Sequence, residues 1–237
     1  MNILIPMAGE GSRFKTEGYT FPKPLIDVNG TPMIQKVVEN LDFDATYIFL
    51  VRKEHLDTYS GLTQTLERIT NNRCKIVVVD SLTEGAACTA LLAEDLIDTD
   101  DDLLIANSDQ FIEWNPREVM YQFVNADVDG GILTFESTHP KWSYAKCNED
   151  GFVTEVAEKK VISKNATVGV YYWKHGSDYV SSAEEMIKKN IRVNNEFYVA
   201  PIYNLMVRDG LKITIEKNTR HDILGTPKDV KRNELEK

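Results

Sequence analysis

Cysteine is scarce in this chain and carries no pattern. The three present, Cys74, Cys88 and Cys147, are odd in number and far apart, which excludes a disulfide framework and a Cys-x-x-Cys metal motif. A reduced, cytoplasmic setting is expected. No apolar run approaches the ~20 residues of a membrane-spanning helix. The opening Met1-Asn2-Ile3-Leu4-Ile5-Pro6 is too short, and lacks the basic residues, for a signal peptide, so no membrane partner is expected. Positive charge is in deficit: 27 Lys and Arg face 37 Asp and Glu, a formal charge of −10. An acidic surface opposes nonspecific binding to nucleic acid or anionic lipid, while leaving room for a local basic pocket. The four histidines, His55, His139, His175 and His221, have no ligand spacing, so no zinc pattern is present. A Gly-x-Ser-x-Gly nucleophile elbow, internal repeats and low-complexity tracts are also missing.

What is present is ordinary globular composition, 42% hydrophobic and 27% charged over 237 residues, enough for a sizeable core. Apolar runs alternate with helix-period segments through the first half. Ile3–Ile5 reads as a buried strand, and Tyr47–Val51, Lys75–Val79 and Leu103–Ala106 read as further strands. Thr31-Pro32 reads as a helix start, a hydroxyl cap followed by proline at the first helical position. Ile34, Val37, Val38 and Leu41 then mark one apolar face. A further helix is expected after Gly85. Strands spaced by helices imply an α/β fold, a three-layer sandwich around a mixed, mostly parallel sheet. Ligands in such sheets bind beyond the carboxyl ends of the strands, which puts the loops after Ile5 and Ala106 on one rim.

The pattern changes near residue 128. Shorter extended runs cover Gly131–Phe135, Ser143–Cys147, Phe152–Val156 and Val168–Trp173, with a hairpin turn at Glu149-Asp150-Gly151. Helical patterns return at Ala183–Lys189 and Pro201–Arg208, and Lys212–Ile215 reads as a last strand. No Gly/Ser/Pro linker separates the halves. One domain over 1–237 is expected, in two halves, 1–127 and 128–237.

Two segments carry the chemistry. Ala8-Gly9-Glu10-Gly11-Ser12-Arg13-Phe14 follows the first strand directly. Its glycines allow close backbone approach to a ligand, exposed N–H groups can wrap phosphate oxygens, and Arg13 adds a planar charged fork. A third glycine of the dinucleotide fingerprint is missing at Phe14, and no Walker Gly-Lys-Ser/Thr follows. In Pro22-Lys23-Pro24-Leu25, two prolines stiffen the backbone around one lysine, which can then neutralise a reacting phosphate. Singly, each also reads as an ordinary turn or surface loop.

Together the two motifs resemble the sugar-phosphate nucleotidyltransferase family, the NDP-sugar pyrophosphorylases and related cytidylyltransferases, over most of the chain and more loosely after residue 30. The resemblance implies a Rossmann-like fold and Mg²⁺ as cofactor. It implies a triphosphate cradle from Met7, Ala8, Gly9, Glu10, Gly11, Ser12 and Arg13, with Arg13 on the leaving pyrophosphate and Lys23 at the reacting centre. Both of these are expected catalytic residues. Thr83, Glu84, Gly85 and Ala86 resemble the base-binding stretch, with Ser108 nearby. Asp109 stands where the family has a metal-binding aspartate. Glu158-Lys159 resembles the acceptor-contacting Glu-Lys-Pro motif, with Lys160 in the proline's place. Lys23, Gly169 and Tyr144 join the acceptor set, although buried core is the better reading of Tyr144 and Trp142. Many relatives carry a second metal-binding aspartate two residues before the glycine of Leu224-Gly225-Thr226-Pro227. Ile223 holds that place and Asp222 precedes it, so Asp222 serves only if a bulge turns it inward.

The activity implied is transfer of a nucleoside monophosphate from a nucleoside triphosphate to a small phosphorylated acceptor, a sugar phosphate or a phosphorylated alcohol or amino-acid-like compound. The chain's shortness resembles the cytidylyltransferases, so CTP is expected. Two alternatives remain: a nucleotide-sugar-dependent glycosyltransferase, and a noncatalytic nucleotide-binding regulatory subunit. A homodimer is compatible with the sequence, which shows no seam.

Overall fold

In the computed structural model, which describes residues 1–218 and 220–235, the four apolar runs of the first half form the parallel strands around which the site is built. The strands are β1 (Asn2–Pro6), β2 (Asp27–Val28), β3 (Thr31–Pro32), β4 (Thr46–Arg52), β5 (Cys74–Val79), β6 (Leu103–Ala106) and β7 (Gln110–Glu113). They continue as β8 (Gly130–Glu136), β9 (Tyr144–Cys147), β10 (Val153–Ala157), β11 (Asn165–Trp173), β12 (Ile213–Lys217) and β13 (Arg220–Ile223). β6, β1, β4 and β5 lie side by side in parallel. β11 joins them antiparallel to β6 and links the sheet to β8, β9 and, through β9, β10. β12 pairs in parallel with β8. One mixed, nine-stranded sheet therefore runs through both halves of the chain.

The layers follow from the two-residue period of a strand. On β1, Leu4 faces a core shared with Ala87 and Ala90 of helix Ala86–Leu91 and with Tyr179, Ala183 and Met186 of helix Gly176–Lys188. Ile3 and Ile5 face the opposite core, against Ile34, Val37, Val38 and Leu41 of helix Met33–Leu41 and Leu62 and Leu66 of helix Gly61–Ile69. Strands buried on both faces read as unbroken apolar runs for this reason. Truncating a side chain such as Leu4 to alanine costs about 2–5 kcal/mol.

The structure corrects one expectation here. Thr31-Pro32 is not the first turn of a helix. It is β3, paired with β2 across Asn29-Gly30, where both residues take positive φ, 56° and 77°, the geometry of a tight hairpin turn. Gly30 N–H donates to Asp27 Oδ1 at 2.9 Å. Pro32 is the last extended residue, and the helix begins at Met33 without a side-chain cap. A second ribbon, β7 with β13, lies outside the elements expected from sequence.

Candidate functional site

β1 ends at Pro6, and Met7 N–H extends its pairing by one bond to Leu50 C=O at 3.0 Å. Met7 and Ala8 are buried, and the chain reaches the surface at Gly9. Gly11 adopts φ 61°, a left-handed conformation suited to glycine, and opens the short helix Ser12–Thr16. Phe14 anchors that turn. It is 1% exposed, lies edge-on to Tyr19 at 5.2 Å and packs with Ile26, Val28, Met33 and Leu224. With Phe14 held inward, Ser12 and Arg13 are left exposed along the cleft.

Pro22 and Pro24 are both buried around Lys23, which opens a single 3-10 turn, Lys23–Leu25. The ammonium extends to Asp109 Oδ2 at 2.5 Å, with both side chains about a quarter exposed (23% and 24%). Asp109 sits just past β6. Its own carbonyl accepts from Leu224 N–H at 2.7 Å, and Asn107 N–H donates to Gly169 C=O at 2.9 Å. Two motifs 86 residues apart thus meet in one ion pair. Solvent screening keeps its contribution to stability small; what it fixes is where a cation and an anion stand at the strand ends.

These elements line a cleft of about 620 Å³. Of the residues expected from sequence, the whole Met7–Arg13 loop, Lys23, Thr83, Gly85, Ala86, Ser108 and Asp109 line it. Glu84 is not among them: it is exposed and ion-paired with Arg192. Gly225, of the Leu224-Gly225-Thr226-Pro227 match, lines the cleft too, and so do Ser81, Leu82, Thr89, Asn107 and Glu196, which were not singled out from sequence. Thr89 had a legible signal, because it stands six residues after Thr83 and the two hydroxyls meet at 2.6 Å across the helix start. Glu196 carried none, since distant chain brings it in.

Gly85 has a structural reason of its own. It adopts φ 138°, and a Cβ there would stand 2.3 Å from Phe197 C=O. Phe197 N–H donates to Glu84 C=O at 2.9 Å, and Ala87 N–H to Phe197 C=O at 3.0 Å. The close approach at Gly85 is therefore to the protein's own backbone, and it clamps the loop before helix Ala86–Leu91.

The residues expected to contact the acceptor are arranged differently; Lys23 alone of them lines the cleft. Tyr144 is fully buried and donates its hydroxyl to His139 C=O at 2.7 Å, so its packing is that of core. Trp142 is half-buried, edge-on to Phe135 at 5.2 Å. Gly169 is buried at φ 84° in a bulge of β11, where a Cβ would come within 2.1 Å of Asn107 Nδ2. It supports the Asp109 loop from below. Glu158 accepts a hydrogen bond from Ser143 Oγ, and burial pushes its carboxyl above the ordinary range despite that bond. Lys159 adopts φ 53°, a conformation that a proline at 160 would oppose. Its ammonium donates to Tyr198 OH at 2.6 Å, and Tyr198 in turn donates to Glu196. That bond to Tyr198 holds the Lys159 pKa above its usual value.

Asp109 fits the role of a one-carboxylate cation ligand. Gly225 leaves space beside it, since a Cβ there would stand 3.0 Å from Oδ2. Mg²⁺ is commonly held by one or two carboxylates plus substrate phosphates. Asp222 is half-buried on β13, opposite Phe111, and is not among the cleft-lining residues. Among the described residues no group of three or more His, Cys, Asp or Glu could hold a metal without such phosphates. No helix among them is long and apolar enough to cross a membrane.

Comparison with known proteins agrees with this geometry. The chain is 27% identical over 179 residues to a mannose-1-phosphate guanyltransferase from Aspergillus fumigatus, a match covering 72% of this chain and 49% of that protein. It thus spans about half the length of that relative. The nucleoside-diphosphate-sugar pyrophosphorylase of Vibrio cholerae RC9 superposes with a TM-score of 0.84 at 25% identity, covering 98% of this chain and 99% of that one. The inositol-1-phosphate CTP transferase of T. maritima shares the fold, with a TM-score of 0.76 at 14% identity and coverage of 99% and 94%. The family model for nucleotidyl transferase matches residues 3–201. With this match over most of its length, the chain belongs to the nucleotidyl transferase family.

Proposed function

We propose that the protein transfers a nucleoside monophosphate from a nucleoside triphosphate, CTP in the first instance, to a small phosphorylated acceptor, releasing pyrophosphate. The observation that carries this reading is the Lys23–Asp109 ion pair at 2.5 Å, set beside the Gly9–Arg13 loop on one cleft. The two halves act as one catalytic unit in this proposal, because their strands share a sheet.

The reaction joins two anions. An acceptor phosphate oxygen attacks the α-phosphorus in line, the bond from α-phosphorus to the bridging oxygen breaks, and pyrophosphate leaves carrying that electron pair. No covalent enzyme intermediate is required, since the nucleophile is already ionised. The Gly9–Arg13 backbone and the Arg13 guanidinium hold the β and γ phosphates. Lys23 Nζ stands where charge concentrates on the reacting phosphate, and fixed positive groups there lower the barrier. Thr83 and the clamped Gly85 border the end of the cleft assigned to the base. Glu158 and Lys159, held by Ser143 and Tyr198, form the acceptor side. Asp109 would hold Mg²⁺, which supplies charge neutralisation on the phosphates when bound. Alignment of the two substrates contributes much of the remaining rate enhancement.

The test is incubation with Mg²⁺, each nucleoside triphosphate in turn, and a panel of sugar phosphates and non-sugar phosphomonoesters, with pyrophosphate and product mass measured. Acceptor-dependent pyrophosphate with CTP is expected. Pyrophosphate with GTP alone, the base that the Aspergillus relative's name indicates, overturns the choice of CTP and keeps the reaction. A product formed from a nucleotide sugar without pyrophosphate overturns the reaction in favour of glycosyl transfer.

A further inference from the structure

Beneath the glycine loop lies a second, smaller cavity of about 60 Å³ that shares Glu10, Gly11 and Lys23 with the cleft. Its other side is helix Lys53–Thr58, with Glu54 and His55. Tyr59 closes it by donating to Thr20 C=O at 2.6 Å. Arg52 stands at the carboxyl end of β4, the strand hydrogen-bonded to β1. One arm of its guanidinium, Nη2, pairs with Glu54 Oε2 at 3.1 Å. The other, Nη1, is buried and has no hydrogen-bond acceptor among the described residues. That same Nη1 lies 4.0 Å from Glu10 Oε1, about one ångström beyond hydrogen-bond reach.

A buried guanidinium N–H without an acceptor is costly, and native proteins leave few of them. Glu10 raises a complementary difficulty. Its side chain is about half exposed (54%) and lines the cleft in the loop read here as a phosphate cradle. A carboxylate there repels a triphosphate. One movement relieves both, a turn of Glu10 from the cleft towards Arg52 Nη1, which already lies 4.0 Å from its carboxylate.

We propose that Arg52 is a positioning residue for the triphosphate. When phosphates fill the loop, the Glu10 carboxylate turns down and accepts a hydrogen bond from Arg52 Nη1. Negative charge leaves the cradle, and the loop is pinned to β4 around its ligand. This inference rests on reading the Gly9–Arg13 loop as the triphosphate site.

The experiment measures binding of each Mg²⁺-nucleoside triphosphate, and its KM and kcat with the acceptor, for wild type, Arg52→Gln, Glu10→Gln and the double variant. Arg52→Gln is expected to raise the triphosphate KM about tenfold with kcat nearly unchanged, the scale of one partly screened charge at this range. Glu10→Gln alone is expected to tighten binding, and the double variant to return to within about threefold of wild type, because no charge then needs neutralising. A double variant as weak as Arg52→Gln alone overturns the proposal, as does unaltered binding in Arg52→Gln. Should Arg52→Gln not fold, Glu10→Gln still decides, since weaker triphosphate binding in it contradicts the account. A wild-type protein that binds no triphosphate overturns the reading of the cradle itself, and the inference with it.

Discussion

The two halves of the molecule prepare their functional groups in opposite ways. In the first half the groups stand on loops at the carboxyl ends of parallel strands, and much of the Gly9–Arg13 segment is left exposed along an open cleft. In the second half the corresponding groups are already engaged by protein: Glu158 by Ser143, Lys159 by Tyr198, Gly169 packed under Asn107 and Gln110. Parallel strands end together on one rim, so their loops converge on a ligand without further support. Glu158 and Lys159 follow β10 on a bend, where partners hold them in place. The proposed phosphate site is thus open to solvent, whereas the proposed acceptor groups are already held by protein.

The largest expected effect lies in the exposed half. Lys23→Ala and Asp109→Ala are each expected to lower pyrophosphate release by about 10²–10³-fold, the loss typical of removing a preorganised charge, with unchanged circular dichroism. Wild-type turnover in both would remove the contrast. Next comes the clamp joining the halves. In Gly85→Ala a Cβ would meet Phe197 C=O at 2.3 Å in a backbone at φ 138°, and roughly 2–4 kcal/mol of stability should be lost. Urea unfolding reads this directly, and an unaltered midpoint would show that the clamp yields.

Smaller effects sharpen the acceptor side. Tyr198→Phe removes the phenol that takes the Lys159 hydrogen bond and should raise the acceptor KM about tenfold, the scale of one hydrogen bond from a charged donor, leaving the triphosphate KM alone. An equal change in both constants would mean the halves are not separable. The smallest effect is the pH response of Glu158. Burial raises its carboxyl pKa in the folded protein, so the folded state binds that proton more tightly than the unfolded chain. Its contribution to stability is present below the unfolded value of about 4.3 and is lost as pH rises through the folded pKa. Glu158→Gln should therefore gain stability relative to wild type as pH rises across that window, measured by urea midpoints at acid and neutral pH.

What was legible in the sequence follows the same division. Ile3–Ile5, Tyr47–Val51 and Leu103–Ala106 are buried on both faces, and the Gly9–Arg13 loop and Asp109 come just after β1 and β6, so chain order put them on one rim, whereas Lys23 was singled out by its flanking prolines and the family resemblance. Asn29-Gly30 carried a hairpin signal that the Thr31-Pro32 pair obscured, because a hydroxyl before proline reads as a cap until the turn ahead of it is counted. For Tyr144 the sequence favoured buried core over a pocket wall, and the side chain is fully buried, which leaves its place in the acceptor set without support from the geometry. Glu196 reaches the cleft only beside the clamp on Phe197, a contact that no local pattern encodes. Gly85 was legible as a close approach, but its neighbour, Phe197, lies more than 100 residues away.

The central claim is that the α-phosphate moves to a phosphorylated acceptor. The most direct test offers the triphosphate labelled at the α position, then at the γ position, with Mg²⁺ and the acceptor that supports pyrophosphate release, and follows the label into product. The account predicts α label in a diphosphate-linked product and γ label only in pyrophosphate. Label from the γ position in the acceptor product, or α label that never leaves the free nucleotide pool, would contradict it.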